Sequence, residues 1–145
     1  MENPESLDFD FIREHQAHQI MTSPVVCATP NASAEEIKKR FLESGCSGMP
    51  IVNQDNRVTG LVSQYDILQL IYKNVDLETI PAHKFMTRNV ITADKNALLA
   101  ALVKTFLEKR INRIPITDQG TLVGIVTRQD ILSHLALHRP HFFQL

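Results

Sequence analysis

Apolar positions follow two spacings along this chain, and each spacing recurs. In "NASAEEIKKRFLESG", Ile37 and Phe41 stand four apart among charged residues, as on one helical face. Ser33 with Glu36 three residues later makes a capping box at its start, and Gly45 ends it. "GMPIVN" is a continuous apolar run, and "RVTGLVS" follows after the turn "QDN". The pair predicts a β-hairpin, with Pro50 near the start of its strand or at a sheet edge. "YDILQLIYKN" returns to helical spacing, with Ile67, Leu68, Ile71 and Tyr72 as its expected apolar stripe. Ahead of all these, "SPVVCAT" carries β-branched residues after a proline and predicts a short strand. The order is strand, helix, strand, strand, helix.

The same order returns later. Val90-Ile91-Thr92 predicts a strand; Leu98, Leu102 and Phe106 stripe a helix; "IPIT" and "TLVGIVT" make a hairpin; "DILSHLALH" is the last helix. Shifting the chain by 65 brings Met21-Thr22 onto Met86-Thr87 and Pro50-Ile51 onto Pro115-Ile116. Past the hairpin turn the shift falls to 64, and "GLVSQYDIL" from Gly60 lies over "GIVTRQDIL" from Gly124. One residue lost in a surface turn is what two copies of one unit would show. The expected divisions are an extension over 1–16, a repeat over 17–73, a linker over 74–81, a repeat over 82–138 and a tail over 139–145. Two copies are too few for a solenoid. The predicted fold is therefore α/β (α+β): two β-α-β-β-α repeats packed about a pseudo-two-fold axis.

Composition narrows the function classes. The chain has 145 residues, 43% of them hydrophobic, so a packed core is expected. A net charge of −1 argues against general nucleic-acid or membrane binding, which needs a basic surplus. Cys27 and Cys46 form no CxxC pair and predict reduced thiols. The acidic start "MENPESLDFDFIREHQ" is no signal peptide, and no apolar run nears the ~20 residues of a transmembrane helix. A soluble cytoplasmic protein is expected. Leu7, Phe11 and Ile12 share one face of a possible N-terminal helix, expected to cap the first copy or help a dimer. His134, His138 and His141 have metal-like spacing, but no acidic or cysteine partner stands beside them, and no metal site is expected. Phe142 and Phe143 are expected to fold back onto the protein or a neighbour.

Several marks point to a family. They are Met21-Thr22 and Met86-Thr87 opening each copy, and Met49-Pro50-Ile51-Val52 and Ile114-Pro115-Ile116 in the middle. Each copy closes on glycine, an apolar pair, a hydroxyl, two residues, aspartate and Ile-Leu. Over about 17–137 the sequence resembles a tandem pair of CBS domains (named for cystathionine β-synthase), also called a Bateman module. The resemblance implies a flat, pseudo-symmetric disc with two clefts between the copies. It implies adenosine-containing ligands in those clefts, pairs that dimerise through their helices, and a regulatory role without catalysis.

The chemistry of the repeated phrase fits such a ligand. A strand ending at Ser63 and turning straight into a helix leaves amides and the positive end of the helix dipole for a phosphate, and the hydroxyl can donate as well. Asp66 is acceptor-only when ionised and suits ribose hydroxyls. Thr127 and Asp130 repeat the arrangement. The plainer reading is that [ST]-x-x-D caps a helix and needs no ligand; the two roles can coexist. Arg113 and Arg128 suit phosphate, and the first copy has Gly48 and Gln64 in their places. The copies are thus unequal, and one cleft should bind phosphates better than the other; which cleft Arg113 serves stays open. By the resemblance, Cys27 and Thr92 in the first strands, with Ile51 and Ile116, would hold the base. Cys27 reads otherwise as a small buried apolar residue.

No Ser/His/Asp set, zinc signature or P-loop is present, so no enzyme is expected. The expected function is a regulatory sensor of AMP, ADP or ATP that signals to a separate, unidentified protein and forms a homodimer. The alternatives are a ligand-free dimerisation module and a sensor of S-adenosylmethionine or NAD.

Overall fold

The computed structural model describes residues 7–137. In chain order these form α1 (Leu7–Glu14), α2 (Ala34–Ser44), β1 (Gly48–Val52), β2 (Val58–Ser63), α3 (Gln64–Tyr72), β3 (Ala93–Asp94), α4 (Leu99–Lys109), β4 (Arg113–Asp118), β5 (Thr121–Thr127) and α5 (Arg128–Leu137). This is a mixed α/β fold. The strands make a two-stranded sheet, β1-β2, and a three-stranded sheet in the order β3-β4-β5.

The chain divides into two compact units. Unit I gathers Pro24–Ile91 with Gly120–Leu122; unit II gathers residues 7–23, Thr92–Gln119 and 123–137. The opening phrase of each sequence copy therefore belongs to the unit built on the other copy. Met21-Thr22 lies in unit II and Met86-Thr87 in unit I.

Unit I has its core between α2, α3 and one face of β1-β2. Ser33 caps α2 by accepting from the Glu36 amide, and Gly45 ends the helix with φ 74°. Ile37 and Phe41 face inward with Met49, Ile51, Val62 and Ile67. Burying each of these apolar side chains contributes about 1.5–3 kcal/mol. In unit II, Leu99, Leu102 and Phe106 of α4 pack with Ile114, Ile116, Val126 and Ile131. Leu98, expected in that stripe, is instead the N-cap of α4 and stands half-exposed.

The predicted first strands are largely absent, and three prolines explain it. In unit I only Ala28 bridges β1: its amide donates to the Pro50 carbonyl at 3.1 Å, and its carbonyl accepts from Val52 at 2.9 Å. An earlier rung of this parallel ladder would need an N–H on Pro50, and a later one an N–H on Pro30; neither exists. In unit II, Pro115 blocks the earlier rung in the same way, so Val90-Ile91-Thr92 stays outside the sheet. Lys95 stands where the first copy has Pro30, and its amide reaches the Thr117 carbonyl at 2.8 Å. That extra rung makes β3, parallel to β4, from what is a single bridge in unit I.

Two further expectations are corrected. The buried residues of α3 are Ile67 and Leu70, whereas Leu68 (63% exposed), Ile71 (51%) and Tyr72 (92%) face outward. Nor does α1 cap the first copy. It packs in unit II, with Phe11 buried against the α4 core and stacked on His15 at 3.9 Å between ring centroids.

Candidate functional site

Each candidate site begins where a strand becomes a helix with no residue between. Ser63 is the last residue of β2 and the N-cap of α3, with extended backbone at φ −115° and ψ 164°. Its hydroxyl accepts from the Asp66 amide at 3.3 Å. Oδ2 of Asp66 accepts in return from the Ser63 amide at 2.8 Å and from its hydroxyl at 3.1 Å. Thr127 ends β5 in the same way. Its hydroxyl accepts from the Asp130 amide at 3.1 Å, and Asp130 Oδ2 accepts from the Thr127 amide at 2.8 Å. The repeated phrase is thus a pair of reciprocal helix caps. In both, Oδ1 of the aspartate has no hydrogen-bond partner among the described residues. All four residues are half-buried. Each carboxylate is held in place by one oxygen and presents the other.

The residues around the two caps differ. In unit I, Ser63 lies opposite Gly48 across the hairpin. Gln64 follows it, donating its amide to the Ser47 carbonyl at 3.0 Å and its Nε2 to the Cys46 carbonyl at 2.9 Å. In unit II, Arg128 follows Thr127 and donates its amide to the Asn112 carbonyl at 3.4 Å. Its guanidinium is exposed and unpaired among the described residues. Arg113 opens β4 and is half-buried.

The other candidates belong to other segments of the chain. Cys27 precedes the Ala28 bridge, on the flank of β1 away from β2; it is half-buried, and its carbonyl accepts from the Arg40 guanidinium. Thr92 directly precedes β3, on the flank of β4 away from β5, and is exposed. Ile51 and Ile116 are both 0% exposed and packed in the cores of units I and II respectively.

The glycines that open the phrase carry a role that residue types alone did not assign. A Cβ on Gly60 would run into the Met86 side chain, and one on Gly124 into Met21. Beside these contacts, Leu61 and Thr87 exchange two backbone bonds of 2.9 Å, and Thr22 and Ile125 exchange bonds of 2.9 and 3.1 Å. Each Met-Thr therefore lies along the strand that delivers the hydroxyl. Both the Met-Thr and the glycine are repeated in the sequence, so the signal was present. What the sequence did not show is that each glycine meets the other copy's methionine.

Elsewhere in unit I, Phe41, Leu42, Ile67, Leu68 and Ile71 line an apolar groove of about 260 Å³ between α2 and α3. No cluster of metal-binding side chains occurs among the described residues, and His138, His141, Phe142 and Phe143 lie outside them. No helix among the described residues is long and apolar enough to cross a membrane.

Comparison with known proteins places these features. The family model for the CBS domain matches twice, over residues 17–73 and 82–137. An uncharacterised protein of Methanocaldococcus jannaschii is 30% identical over 117 residues, which are 81% of this chain and 41% of that protein. Hypoxic response protein 1 of Mycobacterium tuberculosis is 27% identical over 84% of this chain and 86% of its own length. The chain thus spans less than half of the first relative and most of the second. Among solved structures, the CBS domain pair of protein MJ0100, in complex with 5′-methylthioadenosine and S-adenosyl-L-methionine, superposes with a TM-score of 0.76. It is 26% identical, with 86% of this chain and 98% of that chain covered.

Proposed function

The chain belongs to the CBS domain family, and on that premise we propose that it is a non-catalytic sensor of adenosine-containing ligands. The observation that carries this reading is that Oδ1 of Asp66 and of Asp130 has no hydrogen-bond partner among the described residues, each carboxylate being fixed through Oδ2. A carboxylate oxygen left over from the cap accepts ribose hydroxyls, and the positive end of the helix dipole suits a phosphate or another electron-rich group. The ligand complex of the MJ0100 pair supports the adenosine class. AMP, ADP and ATP are the first choices, with S-adenosylmethionine and NAD behind them. Ligand binding biases the packing of the protein and so the state of a regulated partner. The two aspartates sit in different compact units, each engaged as a cap, which suits holding a ligand better than acid–base chemistry.

Leu42 (76% exposed), Leu68 and Ile71 give α2 and α3 an apolar face that suits a homodimer. The same face supports a second reading, a dimerisation module without ligand, in which Asp66 and Asp130 serve only as caps.

Thermal unfolding with AMP, ADP, ATP, S-adenosylmethionine and NAD separates the two. A ligand at 100 times its Kd should add about 2.7 kcal/mol. Asp66→Asn and Asp130→Asn keep an amide oxygen for the cap but lose the charge. The shift should disappear in the variant whose site binds. No shift with any ligand at millimolar concentration leaves the dimerisation module.

A further inference from the structure

In unit II, α1 and the end of α5 border a groove of about 290 Å³. Leu7, Phe11 and Leu135 give it apolar walls, and Asp8, Asp10 and Glu14 give it carboxylates. Asp10 and Glu14 are exposed and form no ion pair among the described residues. The neighbouring basic groups are engaged elsewhere. Arg13 lies over the Phe9 ring, 5.2 Å from its centroid, and His15 Nδ1 stands 2.9 Å from the Phe11 carbonyl. A segment that fits this groove carries positive charge and apolar rings together.

The chain contains such a segment. Residues 138–145, outside the described residues, read "HRPHFFQL". Arg139 is a permanent cation, Phe142 and Phe143 are adjacent rings, and no acid interrupts them. Residues 1–6, "MENPES", adjoin α1 as well but carry Glu2 and Glu5, the wrong sign for a wall of carboxylates. Position agrees with charge. Leu135 lines the groove two residues before α5 ends at Leu137. From Leu137 to Phe143 an extended chain reaches about 20 Å. The eight residues of α1 span about 12 Å, so the whole length of the groove is within reach.

We propose that the groove between α1 and α5 is the docking site of the chain's own residues 138–143, with Arg139 pairing to Asp10 and Glu14 and Phe142-Phe143 covering Leu7, Phe11 and Leu135. Docked there, the segment holds α1 against α5. This device is independent of any adenosine ligand.

The test is hydrogen exchange of the full chain, read on the amides of α1, with those of α3 in unit I as the internal control. Phe142→Ala with Phe143→Ala should speed exchange in α1 about tenfold or more and leave α3 unchanged. Arg139→Glu should speed it about two- to fivefold, because an exposed ion pair contributes little, and Glu14→Arg should do the same. Arg139→Glu and Glu14→Arg together should return α1 to within about twofold of the wild type, a rescue that general loosening cannot imitate. Unchanged α1 exchange in the double phenylalanine variant, equal acceleration in α3, or failure of the charge-swapped pair to rescue would overturn the proposal. So would wild-type protection of α1 that falls on tenfold dilution, which would assign the groove to a second copy of the chain.

Discussion

In unit I the start of α2 is covered by the connector that follows α3: Ala34 donates to the Ile80 carbonyl at 2.9 Å and Glu35 to the Leu77 carbonyl at 3.0 Å. In unit II the start of α4 is covered by the chain that follows α1, and Leu99 donates to the His15 carbonyl at 2.9 Å. The bonds match further along as well. Ala82 donates to the Ala32 carbonyl, and Ala17 to the Ala97 carbonyl, each at 2.8 Å. The sequences doing this are unlike: "NVDLETI" in one unit and "DFIREH" in the other. Segments that read as a linker and an extension are equivalent parts of two structural units. The comparison teaches that the folding unit reaches beyond the repeated motifs and is completed by chain that precedes the other copy.

The strongest way to break this comparison is to empty the α1 contact. Phe11→Ala removes a ring that is 6% exposed and stacked on His15. If α1 is integral to unit II, urea unfolding should show a loss of about 3 kcal/mol, in the range for buried aromatic truncation. Leu77→Ala, at a half-buried connector position of unit I, should cost less, about 1–2 kcal/mol. A Phe11→Ala cost below ~0.5 kcal/mol would make α1 an appendage and end the equivalence.

This part of the fold was hidden because no motif marks it; the equivalence is one of backbone bonds, which sequence similarity does not record. Other parts were legible for definite reasons. Ser33, Ile37, Phe41 and Gly45 lie where cap, stripe and stop must lie in α2, and the structure places each of them so. The hairpins followed from apolar runs with a turn between them. The first strands misled because β-branched residues mark strand preference, whereas Pro30, Pro50 and Pro115 remove the donors that a ladder needs. Leu68, Ile71 and Tyr72 misled because apolar character was read as burial, and on α3 it belongs to an exposed face. The hydroxyl–aspartate pairs were readable from three-residue spacing, because spacing alone brings cap partners together. Ile51 and Ile116 came in by family likeness, and their enclosure in the cores could not be read from that.

A smaller effect sharpens the pairing of glycine with methionine. Gly60→Ala and Gly124→Ala each place a methyl where Met86 or Met21 already sits. Each should cost about 1–3 kcal/mol as overpacking, and the two costs should be alike if the units are equivalent. Trimming Met86 to alanine should relieve Gly60→Ala but not Gly124→Ala, and Met21→Ala should do the reverse. Double-mutant cycles by denaturant unfolding read this directly. Relief of Gly60→Ala by Met21→Ala would show that the pairing follows the sequence copies.

The smallest effects lie at the ends of the two equivalent helices, where the copies differ most plainly. α2 starts on Ser33, whose hydroxyl takes the Glu36 amide, and stops on Gly45 in the left-handed region. α4 starts on Leu98, which has no capping side chain, and stops on Arg110 held at φ 53°. The backbone already has cap geometry at both places: Leu98 is extended at φ −70° and ψ 145°, close to Ser33 at −72° and 156°. Only the side chains fail to use it. Arg110→Gly removes the left-handed penalty and should stabilise by about 0.5–1 kcal/mol once the greater freedom of glycine in the unfolded chain is subtracted. Leu98→Ser supplies a hydroxyl for the first turn and should gain about 0.5 kcal/mol, the low end of capping effects, because the Ala101 amide already has a partner in the Leu98 carbonyl at 3.0 Å. The same glycine and serine are present in unit I, so Gly45→Arg and Ser33→Leu should lose what unit II gains. A loss in unit I without the matching gain in unit II would mean that α4 is held by its packing against α1 and the sheet, and that its ends carry little of its stability.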